Sequence, residues 1–246
     1  MDEESEALRQ EIRRLRKTLA ELTPDIEALL MRRGFRVYKK EPGEDLLIPG
    51  DRFIDRYYEM LKRYSFRLFL RDVIKHQEKF TEKEVTRYAT AEVTKDYIEY
   101  LLEIGLLEGA GGRAFRLSER PIKSFGETLE WFIAQIFIRE FSTEAIWGVK
   151  FKRPSVGGDY DLIAKINGSL LYMEVKSSPP KQIYANEITA FLDGHRTQYE
   201  GQDSADVRGG AKAEVRLPPG SQEDAKGALS DIAQNFYNKL KGEHNR

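Results

Sequence analysis

Apolar residues recur along the first thirty positions in a seven-residue rhythm. Leu8, Ile12, Leu15, Leu19, Leu22, Ile26 and Leu29 follow one another at alternating intervals of four and three, which keeps them on one stripe of an α-helix. Pro24 interrupts the stripe, so the pattern predicts two helices over residues 3–33. Thr23 is the expected N-cap of the second, with Pro24 in the tolerated first turn. Gly34 should close it. The stripe reads either as a coiled-coil arm that forms a homodimer or as a helix folded back on its own domain. Residues 41–51 (EPGEDLLIPGD) form a Pro/Gly-punctuated linker, and a further helix is expected over 52–64.

The next stretch, 65–118, alternates between helical and extended periodicity. Ser65 begins a helix running to about Gln77. Thr81 and Glu84 have the spacing of a capping box, so a short helix starts there and reaches about Tyr88. Thr94 is the expected cap of a third helix with Tyr97, Ile98, Leu101 and Leu102 on its core face, ending at Gly105. LLEGAGGRAFRLS then reads as strand, Gly-rich turn and strand. Three helices followed by a hairpin, with EIGLLEG at the junction, resemble a winged helix-turn-helix domain. That resemblance implies DNA contact through the third helix and the wing. Lys95, Arg113 and Arg116 are the candidate contacts. Asp96, Glu99 and Glu103 on the same helix would repel phosphate, so protein contact is the competing use.

From residue 126 the pattern changes again. Leu129, Phe132, Ile133, Ile136 and Phe137 make the apolar face of a helix from Gly126 to about Phe141. AIWGVKF (145–151), DYDLIAKI (159–166) and SLLYMEVK (169–176) read as strands. Asn167-Gly168 between the last two demands a two-residue type I′ hairpin turn. That turn fixes the register: Ile166 pairs with Ser169 and, stepping outward, Asp161 falls opposite Glu174 and Asp159 opposite Lys176. Side chains alternate along a strand, so these four polar groups are expected on one face. Cβ atoms of opposed residues are roughly 4.5–5.5 Å apart. Facing carboxylates are destabilising unless something neutralises them. A divalent cation held by Asp161 and Glu174, with the Val175 carbonyl as a further ligand, would do so. Lys176 would then orient or help deprotonate an attacking water. The competing reading is a solvated charge cluster on a surface hairpin. The apolar neighbours Leu162, Ile163, Leu170, Leu171 and Met173 argue against it, because they mark strands covered on both faces.

Composition narrows the chemistry. No cysteine and only three histidines are present among 246 residues, and no two histidines are spaced as metal ligands. Thiolate zinc sites are excluded, and carboxylates holding Mg²⁺ or Mn²⁺ are favoured. The net charge of −1 announces no nucleic acid globally, so DNA binding must rest on local basic patches. The acidic start MDEESEALRQEIRR is unlike a signal peptide. No apolar run is long enough for a membrane span, which makes the cytoplasm the expected location.

GGDYDLIA followed by LLYMEVKSS resembles the PD-(D/E)XK nuclease superfamily, in particular its restriction-endonuclease-like and Holliday-junction resolvase-like members. The resemblance covers about 70 residues and implies metal-dependent hydrolysis of DNA. It implies that Asp161 and Glu174 bind metal and that Lys176 assists the nucleophile. It also implies a further acid in a G-x-x-x-E helix, matched by Gly126 and Glu130; Glu127 is the lesser candidate. The alternative is a non-catalytic winged-helix DNA-binding or regulatory protein carrying a degenerate nuclease-like domain. An RNA-directed nuclease is the third reading, and no RNP-type motif supports it.

The expected fold class is α+β multidomain. It comprises a helical arm and linker (1–64), a winged-helix-like domain (65–120) and a restriction-endonuclease-like core with a mixed central sheet (121–193). Residues 184–194 are expected as a further helix of that core. Residues 194–246 break the pattern, being rich in Gly, Ala and charge. They read as a disordered tail or as an out-of-frame continuation of a longer gene, with AEVRL (213–217) the one candidate strand.

Overall fold

The computed structural model describes residues 3–118, 121–152, 157–166, 169–176, 204–207 and 213–216. In chain order its elements begin with α1 (Glu3–Leu22), α2 (Ile26–Arg32), β1 (Arg36–Lys39), α3 (Ile54–Leu61) and α4 (Tyr64–Lys75). β2 (Phe80–Thr81), α5 (Glu82–Val85), α6 (Ala91–Glu103), β3 (Leu107–Gly109), β4 (Ala114–Leu117) and α7 (Gly126–Glu140) follow. The last are β5 (Ala145–Lys152), β6 (Gly157–Ile166), β7 (Ser169–Met173), β8 (Ser204–Val207) and β9 (Ala213–Arg216). No helix among the described residues is long and apolar enough to cross a membrane.

The chain divides into two compact units that interleave. Among the described residues, one takes those up to Glu41 and those from Ile133 onward; the other takes Pro42–Phe132. This differs from the consecutive segments expected from sequence, and the reason is β1. That strand follows Gly34 and pairs antiparallel with β5, so the N-terminal segment folds with the sheet rather than standing apart from it.

In the first unit the sheet order is β1-β5-β6-β7, and every neighbour pair is antiparallel. A mixed sheet was expected; among the described residues the central sheet is antiparallel throughout. The expected helix at 184–194 lies outside the described residues. The 213–217 strand does form, as β9. It pairs with β8 in a hairpin separate from the central sheet.

Helix α2 covers one face of the sheet. Ile26, Leu30 and Phe35 pack with Ile146, Val149, Phe151, Tyr160, Ile163, Leu170 and Tyr172. Leu162, Ala164, Leu171 and Met173 are buried too, so the strands are covered on both faces as their composition suggested. The cap of α2 is Asp25, not Thr23: its Oδ1 accepts the Ala28 N–H at 2.6 Å. The apolar stripe of the N-terminal residues therefore splits. Ile26 belongs to the sheet core, whereas Leu8, Ile12, Leu15 and Leu22 on α1 are exposed.

A buried ion pair fastens α2 to the sheet. Lys165 on β6 is 4 % exposed. Its Nζ lies 3.1 Å from Glu144 Oε2 and donates to the Pro24 carbonyl at 3.1 Å. Glu144 Oε1 in turn accepts the Ile26 N–H at 3.1 Å. One carboxylate thus satisfies an orphan donor of the helix start and neutralises a buried ammonium.

In the second unit, α4, β2, α5, α6, β3 and β4 follow in order, with the three strands arranged β2-β4-β3. Phe66 anchors its core, 5.0 Å from the Tyr97 ring and 6.1 Å from that of Tyr57. Thr81 and Glu84 form the expected capping box, but α5 ends at Val85 rather than Tyr88. Thr90 caps α6, accepting the Val93 N–H, while Thr94 is an interior, buried residue. Tyr100 replaces Leu102 on the buried face, where Leu102 is 37 % exposed. Gly105 takes a φ of 77° just past the helix, the left-handed conformation that ends helices.

Candidate metal site on the β6–β7 hairpin

The hairpin register is the one that a two-residue turn requires. Ile166 pairs with Ser169, Lys165 with Leu170, Ala164 with Leu171, Ile163 with Tyr172 and Leu162 with Met173. The turn residues themselves lie outside the described set. One step further out, Asp161 meets the strand end carrying Glu174. Strand pairing was expected to continue to Lys176, but β7 stops at Met173. The cause is local: Asp161 Oδ2 accepts the Val175 N–H at 2.7 Å. A carboxylate thus replaces a backbone carbonyl as the partner of the next amide, and the ladder ends there.

The pleat also changes phase at this point. Tyr160 and Ile163, three residues apart, both face the α2 side, and the Tyr160 ring lies 4.7 Å from that of Tyr172. Strict alternation forbids that spacing. On β5 the matching residues are Ile146 and Val149, with Gly148 between them at φ 57°. Gly148 falls between the rows Trp147↔Leu162 and Val149↔Tyr160, directly across from Asp161. A left-handed residue in a strand is a role for glycine. The lone glycine in AIWGVKF was the available sign, and sequence reasoning passed over it. Asp159 lies beyond the change of phase. It is exposed and pairs across β5 with Lys150; its expected strand pairing with Lys176 does not form, because β7 ends at Met173. Lys176 Nζ instead donates to Glu174 Oε1.

Electrostatics mark Asp161 as the stressed group. Its carboxyl is pushed up to about 6, first by burial and then by the Glu174 charge, with Asp159 adding to it. The Val175 N–H and the Lys176 ammonium pull the other way and do not compensate. Half-buried neighbouring carboxylates with oxygen-only donors fit a hard divalent cation. Asp161 and Glu174 are the residues that would hold one.

The remaining candidates are placed as follows. Val175 contributes its N–H to Asp161. Glu130 sits one turn after Gly126 on α7, and its Oε1 lies 3.9 Å from where a Cβ on Gly126 would stand. The carboxylate therefore folds back over the first turn of its own helix. Among the described residues no group of three or more His, Cys, Asp or Glu is gathered to hold a metal. Asp161 and Glu174 lie near enough for the Glu174 charge to act on the Asp161 carboxyl. Glu127 has a different occupation: its Oε2 accepts the Asp45 N–H at 2.9 Å. Beside it, Thr128 Oγ1 accepts the Leu47 N–H at 2.9 Å. Both tie the 45–47 segment to α7.

The candidate DNA contacts are largely engaged with carboxylates. Lys95 Nζ lies 3.6 Å from Glu99 on the exposed face of α6. Arg116 Nε lies 2.6 Å from Glu108 across the β3–β4 pair. Arg113 is exposed, beside Gly111 and Gly112, which both have positive φ. Exposed pairs of this kind contribute at most about 1 kcal/mol, so a phosphate could displace them.

No family model matches the chain. No curated protein matches it. Among solved structures it is similar to Can2 from Sulfobacillus thermosulfidooxidans in complex with cyclic tetra-adenylate (cA4), at 15 % identity and a TM-score of 0.45. The match covers 70 % of this chain and 47 % of that one, so the chain spans about half the length of the structure it resembles.

Proposed function

We propose that the chain is a metal-dependent nuclease of the PD-(D/E)XK type that acts on DNA, with the α4–β4 segment serving as a winged-helix DNA contact. The observation that supports it is the crowding of Asp161 and Glu174. A buried carboxylate held against a second one, with its acidity weakened to about 6, is costly for a protein that uses it only for structure. Mg²⁺ or Mn²⁺ bound by these two would relieve the repulsion and supply Lewis acidity toward a phosphodiester. Lys176 offers a cationic donor beside them, to an attacking water or a phosphate oxygen. Asp161 orders the strand end through the Val175 N–H, which sets where Glu174 and Lys176 stand.

A second reading rests on one feature. Lys176 is paired with Glu174, and no third acid joins them among the described residues. A lysine neutralised by the neighbouring acid in this way fits a degenerate site in a winged-helix DNA-binding or regulatory protein. Cleavage assays on linear, nicked and four-way DNA with Mg²⁺ and Mn²⁺ separate the two. Cutting that disappears in Glu174→Ala and in Lys176→Ala is the expected result. A chain that retards DNA in a gel but never cuts it with either metal would sink the nuclease reading.

A further inference from the structure

The exposed face of α1 carries chemistry that neither functional reading uses. Leu8, Ile12, Leu15 and Leu22 are 64, 41, 59 and 79 % exposed, although their spacing places them on one stripe. Continuous apolar stripes left in water are costly and mark interaction surfaces. The next members of the same rhythm, Ile26 and Leu29, pack against the sheet, Ile26 fully buried and Leu29 partly. The seam therefore ends at the helix break around Pro24, and its free part is the length of α1.

Charges flanking the stripe specify what covers it. Numbering the heptad from the sequence puts Ile12 and Leu19 at a, and Leu8, Leu15 and Leu22 at d. Glu4 and Glu11 then occupy g, and Arg9 and Arg16 occupy e. In a parallel coiled coil each g residue meets the e residue five positions on in the partner. Glu4 would meet Arg9 and Glu11 would meet Arg16, on both sides of the seam. In an antiparallel pair g meets g and e meets e, so glutamate would face glutamate and arginine would face arginine. At Ile12, the one β-branched a position, leucine at the neighbouring d positions favours two strands over three or four. We infer that α1 is a parallel, in-register, two-stranded coiled coil with a second copy of this chain as its partner. Parallel strands bring both α2 segments, and the sheets they cover, out at the same end of the coil. The inference is independent of whether the hairpin site cuts DNA.

The absence of cysteine makes the orientation directly testable on the full chain. Ser5 lies at an a position at the N-terminal end of the seam. In a parallel pair the two copies of residue 5 meet; in an antiparallel pair they lie at opposite ends. Ser5→Cys is expected to give a disulfide-linked dimer under mild oxidation. Light scattering of the wild-type chain is expected to give twice the mass of one chain. Leu15→Asp should reduce that to a single-chain mass with an unchanged thermal melt of the folded units, because Leu15 makes no core contact. Glu4→Lys with Glu11→Lys should also abolish self-association, and mixing that variant with Arg9→Glu/Arg16→Glu should restore dimers. A monomeric wild-type chain, a dimer that persists in Leu15→Asp, or a dimer that Ser5→Cys does not cross-link would each overturn the inference.

Discussion

Removing the most stressed charge of the candidate site should make the metal-free protein more stable, and the magnitude follows from Asp161. Its carboxyl rises from the ordinary 3.8 to about 6. One pKa unit corresponds to about 1.4 kcal/mol, so the ionised form costs the fold up to about 3 kcal/mol at neutral pH. The sign is opposite to that of a salt-bridged aspartate. The folded state holds this proton more tightly than the unfolded chain does. Stability from the group is therefore fully present below the unfolded value near 4 and is lost as pH rises through about 6. Asp161→Asn removes the charge and keeps an amide oxygen to accept the Val175 N–H, now 2.7 Å from Oδ2.

In urea titrations with chelator at pH 8, Asp161→Asn should exceed the wild type by about 1–2 kcal/mol. The figure falls short of the full linkage value because the new amide NH₂ needs a partner of its own. The advantage should shrink toward zero at pH 4, where the wild-type carboxyl is already protonated. Adding Mg²⁺ or Mn²⁺ at pH 8 should raise the wild type and leave the variant unmoved. A variant less stable than wild type at pH 8, or a difference that is flat between pH 4 and pH 8, would refute the reasoning. A gain in stability that abolishes metal response is the signature of a group kept for function at a cost to the fold.

Other elements make independent predictions. Glu144→Ala takes the neutralising carboxylate from the buried Lys165 ammonium and the acceptor from the Ile26 N–H, and should cost about 3–5 kcal/mol in urea; Lys165→Met, which removes the charge itself, should stay within about 1 kcal/mol. Gly148→Ala forces an L residue to φ 57° and should lower stability by about 1–2 kcal/mol, with loss of metal response if the change of pleat positions Asp161. Glu127→Gln should leave any cleavage intact, since its carboxylate is occupied with the 45–47 segment, whereas Glu174→Ala should eliminate cleavage with little change in melting temperature.

What was legible in the sequence, and what was not, divides by range. The β6–β7 register could be read because Asn-Gly permits one turn geometry, and a period of two then fixes every pair outward from it. The same reasoning overshot at Val175. A strand rule assumes that the next amide finds a backbone carbonyl, and here a side-chain carboxylate took its place. The pleat change escaped for a related reason: it needs Gly148 and Asp161 on different strands to be known as neighbours. The caps expected at Thr94 and Thr23 fall instead at Thr90 and Asp25, because spacing alone does not say which oxygen reaches an orphan N–H. The N-terminal stripe left two readings open, a coiled-coil arm and a helix folded back on its own domain. One heptad rhythm runs through α1 and α2, and periodicity reports that a face is apolar without saying what covers it. Burial separates them: Ile26 and Leu29 pack into the sheet core beside the Glu144–Lys165 pair, whereas Leu8, Ile12, Leu15 and Leu22 face water. A single rhythm thus serves an intramolecular core on one side of Pro24 and, in the dimer inferred from the charge pattern at Glu4, Arg9, Glu11 and Arg16, an intermolecular seam on the other.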